Sequence, residues 1–189
     1  RLRSHSALVP GPAHAPVGLA ADEVDHLGVE VRDEVRARVA DLGVDIQSGG
    51  SCANTIAAMG LMGARVKYRG QVGDDDLGAL YIRSLSDACG THAIGVSKDL
   101  PTGKCLSLIS AVDGERTMLT DLGAAVNMDG LGNFDEDIRA AEVLHLTGYL
   151  MLGEPMASRC MEAVAVANQA EILVSVDIAD PFVVGVCEE

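Results

Sequence analysis

A short glycine-rich segment, Gly49–Asn54, carries the residue types whose spacing best suits ligand chemistry. Because glycine has no Cβ, the backbone at Gly49 and Gly50 can approach a ligand closely, and a helix that starts just afterwards directs unpaired N–H groups toward it. The amide of Asn54 both donates and accepts hydrogen bonds, as adjacent sugar hydroxyls do. We therefore expect this segment to bind a hydroxylated ligand. The alternative is a plain strand-to-helix turn in which Ser51 caps the helix.

The composition predicts one globular domain and argues against two classes of partner. The chain has 189 residues, of which 48% are hydrophobic, and this is enough for one ordinary core. Its net charge of −14, without any cluster of Lys or Arg, disfavours nucleic acid and anionic membranes as partners. No apolar run approaches the roughly 18 residues of a membrane span.

The cysteines are scattered among apolar residues and contain no Cys-x-x-Cys pair: Cys52, Cys89, Cys105, Cys160 and Cys187. We expect buried, reduced thiols and therefore a cytoplasmic protein. An organelle is an open alternative, because the first residue is Arg1 rather than Met and a targeting peptide could precede it.

Strands and helices are predicted to alternate, which is typical of an α/β fold. The predicted strands are Ser6–Val9, Arg65–Val72, Thr91–Val96, Glu142–Leu146 and Ile172–Val176; the predicted helices are Val24–Leu42, the run after Gly50, Asp75–Cys89, Glu136–Ala141 and Pro155–Gln169. Strand–helix–strand units at this spacing make right-handed crossovers, and therefore a parallel sheet with helices on both faces. A β-hairpin, Lys104–Val112 with Thr117–Thr120, is predicted around the Asp-Gly turn at Asp113–Arg116.

The acidic run Asp74–Asp76 and the histidine His145 are expected to have structural roles. Asp74–Asp76 lacks the distal glutamate of a calcium loop, so we expect it to cap a helix. His145 lies in a predicted strand with no ligand partner nearby in sequence, so we expect a hydrogen-bonded core histidine. No metal site is predicted from the histidine spacings.

The glycine pair, the asparagine at a helix start, and the later Gly63 and Gly73 resemble the first signature of the PfkB, or ribokinase-like, family of carbohydrate and nucleoside kinases. The resemblance covers nearly the whole chain from about Ser6. Four later segments look like the adenosine-kinase-like branch of that family: Thr102–Leu106, Asp113–Met118, Leu146–Leu150 and Ser175–Pro181. This resemblance implies a ribokinase-like, Rossmann-type parallel sheet with a small β-sheet lid. It also implies that residues 1–189 are the N-terminal portion of one kinase domain, with lid elements at about 8–18 and 104–121.

The resemblance also implies an activity: phosphorylation of a primary hydroxyl of an adenosine-like nucleoside or a sugar, with ATP and Mg²⁺. Gly49, Gly50 and Asn54 would then contact the sugar hydroxyls, and Ser51 lies beside them. Two more residues are candidates for binding the substrate, Arg116 at the lid edge and Tyr149 at the end of a strand, where it could stack on a base. A homodimer through the lid is a further expectation.

Three alternatives to a nucleoside kinase stay open. The parent protein could be a ribokinase- or fructokinase-type sugar kinase, or the chain could be a non-catalytic remnant that only binds a sugar or nucleoside. An unrelated dinucleotide binder is disfavoured, because no Gly-x-Gly-x-x-Gly follows a strand.

The sequence also departs from the family pattern. Cys52 and Ile56 stand where the family has smaller residues. Pro10 stands where the family has an Asp that holds sugar hydroxyls, so that role is either lost or supplied by a neighbour such as Asp22 or Asp25. The catalytic string Asp-Thr-x-Gly-Ala-Gly-Asp and the Asn-x-x-Glu metal motif of the family do not occur. We therefore assign no catalytic residue, place the main ATP and metal sites outside this chain, and expect the chain as given to be an inactive fragment.

Overall fold

The computed structural model of the protein describes residues 45–90, 92–110, 112–127 and 132–187, together with Ala37. The predicted strand Ser6–Val9 lies outside the described residues, and so does the predicted helix Val24–Leu42 apart from Ala37. Within the described ranges, no helix is both long and apolar enough to cross a membrane.

The described residues belong to two compact units. Of the described residues, the smaller unit contains 45–47 and Gly103–Leu122, and the larger contains Ser48–Thr102 and the described part of the chain from Gly123 to residue 187. In chain order the elements are α1 Ser51–Leu61, β1 Tyr68–Gly73, α2 Asp76–Cys89, β2 His92–Ser97, β3 Lys104–Ile109, β4 Arg116–Asp121, α3 Asp135–Arg139, β5 Val143–Thr147, α4 Met156–Gln169, β6 Leu173–Asp177 and α5 Pro181–Cys187. The described part of the larger unit also contains the 3₁₀ turns Gly123–Val126 and Gly148–Met151.

The strands of the larger unit form two parallel pairs. β1 pairs with β2, and β5 pairs with β6 in a register that places Thr147 opposite Asp177. In each pair a helix connects the two strands, α2 in the first and α4 in the second. The predicted α/β architecture with parallel strands is thereby confirmed. Among the described residues, each pair is a separate two-stranded sheet.

The turn between β1 and α2 is held by the carboxylate of Asp75. This residue is the N-cap of α2 and accepts hydrogen bonds from the backbone N–H of Gly78 at 2.8 Å and from the hydroxyl of Thr102 at 2.6 Å. The N–H of Thr102 donates to the second oxygen at 2.8 Å. Because these donors stabilise the charged form, with the Thr102 hydroxyl contributing most, the pKa of Asp75 lies below its usual range. The predicted capping role of Asp74–Asp76 is confirmed at Asp75.

The second parallel pair carries the described core cluster on one face. Phe134, Ile138, Ala163 and Ala167 are buried together, and residues of β5 and β6 pack against them. Leu144 and Val174 are the strand residues in this contact. Because side chains alternate along a strand, the residues on either side of Leu144 and Val174 face the other way.

A strand of a parallel sheet with helices on both faces is expected to be buried, and β6 departs from that expectation. Leu173 is 66% exposed and Val176 is 57% exposed. The physical reason is that β6 has a hydrogen-bonded neighbour on one side only within the described residues.

An ion-pair cluster joins β1 to α3 within the larger unit. The carboxylate of Asp137 accepts hydrogen bonds from Lys67 at 2.6 Å and from the Nε of Arg69 at 2.8 Å. These two cations hold the pKa of Asp137 below its usual range, with the bond from Lys67 contributing most.

The smaller unit contains the predicted β-hairpin. β3 and β4 are antiparallel, with Lys104 opposite Asp121 and Ile109 opposite Arg116. The connecting turn has Gly114 at a φ of 77°, a left-handed conformation that suits glycine. Arg116 is exposed and is the first residue of β4, so its predicted place in the turn is wrong by one position. Cys105 on β3 is exposed, which contradicts the expectation that the cysteines are buried.

Candidate functional site

The glycine pair precedes a helix, as the sequence predicted. Gly50 is the N-cap of α1 with a φ of 111°, a backbone conformation that L side chains rarely adopt. At Gly49 a Cβ would meet nothing within 4 Å, so the backbone there faces open space. The alternative in which Ser51 caps the helix is wrong, because Ser51 is the first helical residue and no described side chain caps α1. Among the described residues, no capping side chain therefore occupies the start of α1, whose first N–H groups have no partner within the helix.

The hydroxyl of Ser51 connects this helix start to the end of β6. Its Oγ donates a hydrogen bond of 2.9 Å to Oδ2 of Asp177, the last residue of the strand. The other oxygen of Asp177, Oδ1, accepts a hydrogen bond of 3.0 Å from the backbone N–H of Ala179. Both contacts are exposed, so the Asp177 carboxylate is fixed in position while remaining accessible to solvent.

The neighbouring thiol connects the same helix start to the end of β5. The pKa of Cys52 is raised to about 11, mostly by burial and in smaller part by the charges of Asp177 and Cys160, while a hydrogen bond with the backbone of Thr147 acts in the opposite direction. Thr147 is the last residue of β5, and α1 packs against that strand. The glycine-rich helix start therefore lies at the carboxyl ends of two parallel strands, the edge where α/β sheets open their ligand crevices.

The face of the β5–β6 pair opposite the apolar core carries four polar residues. In the parallel register His145 lies opposite Ser175 and Thr147 lies opposite Asp177, and the alternation of side chains places all four on one face. Nδ1 of His145 and Oγ of Ser175 are 3.1 Å apart. Two buried atoms of this face, Nε2 of His145 and Oγ1 of Thr147, have no hydrogen-bond partner among the described residues. The prediction of a fully hydrogen-bonded core histidine is therefore right for one ring nitrogen and wrong for the other.

Asn54 lies one helical turn after Ser51, on the same face of α1. Its backbone N–H donates to the carbonyl of Gly50 at 2.8 Å, which closes the first turn of the helix. Its side chain is exposed. The amide is therefore carried by the helix face from which Ser51 contacts Asp177.

The other two predicted substrate-binding residues belong to different units. Tyr149 is in the 3₁₀ turn that follows β5 and is partly exposed, so it lies beyond the carboxyl end of that strand, as predicted. At Gly148 just before it, a Cβ would come within 2.9 Å of the carbonyl oxygen of Ile178, so the segments after β5 and β6 run against each other. Arg116 is in the smaller unit, where its side chain is exposed.

Asp177 was not predicted as a site residue. The sequence did contain a signal for this role, because Asp177 directly follows an apolar strand and the carboxyl ends of parallel strands are where ligands bind in α/β sheets. The contact with Ser51 could not be read from the sequence, since it joins residues 126 positions apart. Pro10, Asp22 and Asp25 lie outside the described residues.

No described group of three or more His, Cys, Asp or Glu side chains is arranged to hold a metal ion. None of the described residues is therefore assigned to Mg²⁺ or to ATP.

Comparison with known proteins identifies the family of the chain. The model of the pfkB family carbohydrate kinases matches residues 17–186. The chain is 31% identical over 134 residues to probable fructokinase-4 of Arabidopsis thaliana, covering 68% of this chain and 40% of the fructokinase. It is 32% identical over 114 residues to adenosine kinase of Saccharomyces cerevisiae, covering 58% of this chain and 33% of that kinase.

A solved structure shows the same relationship in three dimensions. The adenosine kinase of Sinorhizobium meliloti is similar with a TM-score of 0.70 and 28% identity, over 81% of this chain and 47% of that one. The chain thus spans less than half the length of each of these relatives. Because the family model matches most of the sequence, the chain belongs to the pfkB family of carbohydrate kinases.

Proposed function

We propose that this chain supplies the acceptor-binding part of a kinase that transfers a phosphoryl group from ATP to the primary hydroxyl of an adenosine-like nucleoside. The observation that carries the proposal is the position of the glycine-rich start of α1, whose Ser51 hydrogen-bonds to Asp177 at the carboxyl end of β6. One edge of the sheet thereby carries the open backbone of Gly49, the exposed amide of Asn54 and the fixed carboxylate of Asp177.

The residues at this edge complement a ribose better than an anion. Adjacent sugar hydroxyls both donate and accept, and the amide of Asn54 can meet them in both senses. The open backbone at Gly49 lets a ring approach the N–H groups at the start of α1. Tyr149, beyond the end of β5, offers an aromatic face on which a purine would stack. Phosphate itself is disfavoured beside the Asp177 carboxylate, because like charges repel.

Several wider features of the kinase form part of the same proposal. Residues 1–189 would be one portion of a kinase domain, with lid elements at about 8–18 and 104–121, Arg116 at the lid edge, and a homodimer through the lid. ATP and Mg²⁺ would supply the transferred group and neutralise its charge. The four cysteines described as free support a reducing compartment such as the cytoplasm.

A sugar kinase of the fructokinase type is the second candidate. It is favoured by the similarity to probable fructokinase-4, which extends over more of the chain than the similarity to yeast adenosine kinase. A free sugar could bind to Ser51, Asn54 and Asp177 as well as the ribose of a nucleoside does. It would carry no base to stack on Tyr149. A non-catalytic binding protein is compatible with the same acceptor site.

Calorimetric titration of the chain with adenosine, inosine, ribose and fructose tests the proposal. We expect saturable binding, with adenosine bound more tightly than ribose because the base adds stacking. Fructose bound more tightly than adenosine would favour the sugar kinase. Absence of binding to all four compounds by a folded chain would overturn the proposal.

A further inference from the structure

We propose that Asp177 is a hydroxyl-binding residue of the acceptor site and determines its preference for vicinal hydroxyls. The proposal rests on the proposed function, since it concerns the same ligand. Its basis is the position of the exposed Asp177 carboxylate, which contacts Ser51 at the start of α1 and lies opposite the buried Thr147 at the end of β5.

The carboxylate of Asp177 retains unused hydrogen-bonding capacity. Oδ2 accepts from the Ser51 hydroxyl at 2.9 Å, and Oδ1 accepts from the Ala179 N–H at 3.0 Å. An ionised carboxylate has about four acceptor positions on its two oxygens, so about two remain for donors outside the chain. The two protein contacts fix the orientation of the carboxylate before any ligand arrives, which lowers the entropy lost on binding.

A second observation, independent of the helix start, is the orphaned hydroxyl of Thr147. This residue is only 9% exposed, and its Oγ1 has no partner among the described residues. The register of the parallel pair places it directly opposite Asp177, on the same face of the sheet. Buried hydroxyls in native proteins nearly always have a partner, so an exception beside an exposed carboxylate indicates a position where a ligand or its bound water completes the hydrogen bonds.

The chemistry of this position selects a neutral, hydroxylated ligand. Within the described residues, Asp177 belongs to no group of three or more His, Cys, Asp or Glu side chains that could hold a metal ion. Its charge opposes a phosphate, whereas two adjacent hydroxyl donors match the two remaining acceptor positions. A hydroxyl held by Asp177 would at the same time be able to accept from the Asn54 amide, since Asp177 contacts Ser51 and Asn54 lies one helical turn further along the same face of α1.

The experiment compares Asp177→Asn with the matched control Asp180→Asn. Both substitutions remove one exposed carboxylate near the end of β6, and asparagine keeps an acceptor for the Ala179 N–H in the first and for the Phe182 N–H in the second. Each protein is titrated with adenosine, 2′-deoxyadenosine, 3′-deoxyadenosine and fructose. For Asp177→Asn we expect about 10- to 100-fold weaker binding of the ligand with vicinal hydroxyls and a much smaller loss for its deoxy analogue. For Asp180→Asn we expect unchanged affinity.

A second variant, Thr147→Val, keeps the shape of the side chain and removes only the orphaned hydroxyl. We expect an equal or higher melting temperature, because a buried unpaired group is removed, together with weaker binding. A merely structural role for Thr147 would leave the affinity unchanged. Folding of every variant is checked by its melting curve.

The outcomes separate the two proposals. If the unaltered chain binds neither adenosine nor fructose, the proposed function and this inference both fail. If the unaltered chain binds one of them and Asp177→Asn binds it equally well, only the assignment of Asp177 is overturned, and its carboxylate is a tether for α1. An equal loss of affinity for the full ligand and its deoxy analogues would likewise contradict a role in reading vicinal hydroxyls.

Discussion

The hydroxyl of Ser51 donates a hydrogen bond of 2.9 Å to the carboxylate of Asp177, although 126 positions separate the two residues. The first residue of α1 is thereby joined to the last residue of β6. This contact links the glycine-rich helix start to the carboxyl end of a parallel strand.

The capping carboxylate of Asp75 yields a prediction about stability. Replacing it by alanine removes the N-cap of α2 and leaves the buried hydroxyl of Thr102, which is 6% exposed, without one of its partners. We expect the free energy of unfolding to fall by about 1–2 kcal/mol, the usual cost of losing a cap. The matched control Asp99→Ala, an exposed aspartate in a loop, should change it by less than about 0.5 kcal/mol. Urea unfolding measures both, and an equal effect of the two substitutions would contradict the capping role.

The same residue gives the sign of a pH effect. The pKa of Asp75 is lower in the folded chain than its ordinary value of about 3.9, so folding favours its ionised form. Its stabilising contribution is therefore complete above about pH 5 and is lost as the pH falls through the folded-state pKa. The stability difference between the unaltered chain and Asp75→Asn should shrink on acidification across this window.

The cysteines should differ sharply in their reactivity. Cys52 has a pKa of about 11, so only about 0.1% of it is thiolate at pH 8, whereas Cys105 is exposed on β3. We expect iodoacetamide at pH 8 to alkylate Cys105 first and Cys52 only after unfolding. Peptide mass spectrometry of a time course measures this order. Early labelling of Cys52 in the folded chain would contradict the burial of its thiol.

The exposed residues of β6 predict self-association. Leu173 is 66% exposed and Val176 is 57% exposed, and within the described residues one edge of this strand is unpaired. An apolar strand edge pairs readily with another chain. We expect light scattering to detect dimers or larger species that Leu173→Lys reduces. A clean monomer at high concentration would contradict this expectation.

The sequence predicted the regular elements well because their signals are local. Asp75 and Gly90 bracket α2 as its N-cap and its left-handed C-cap, and the Asp-Gly pair marks the hairpin turn. Burial was predicted less well, because it depends on which neighbours pack against a strand. For that reason β6 and Cys105 are more exposed than expected.

The candidate site was predictable only in part. The glycines and Asn54 follow a local pattern, whereas Asp177 enters the site through a contact between residues far apart in sequence. The orphaned hydroxyl of Thr147 is likewise a property of packing, since the strand pattern gives its face but not its partners.

We predict that this chain, as given, transfers no phosphate. The family string Asp-Thr-x-Gly-Ala-Gly-Asp, whose last Asp is the general base in the family that the sequence resembles, does not occur in it. A positioned base contributes about 10²- to 10⁴-fold, and phosphoryl transfer depends further on groups that position ATP and stabilise charge. ADP formation with ATP, magnesium and adenosine, inosine, ribose or fructose should stay at background. Acceptor-dependent turnover at ordinary kinase rates would show that residues assigned here to structure form an active site.

The claim that the start of α1 binds the phosphate acceptor is tested most directly at Asn54. The side chain of Asn54 is exposed, so replacing it by alanine does not disturb the core. Asn54→Ala should therefore keep the melting temperature of the unaltered chain. Asn168→Ala is the matched control, because Asn168 is also an exposed helical asparagine and lies near the end of α4.

The measurement is the calorimetric affinity of the unaltered chain and of both variants for adenosine and for fructose. We predict that Asn54→Ala weakens binding of the preferred ligand by about 1–3 kcal/mol, which is about 5- to 150-fold, while Asn168→Ala binds like the unaltered chain. Equal affinities of the unaltered chain and Asn54→Ala would contradict acceptor binding at the start of α1. The glycine-rich segment would then be only a turn that precedes a helix.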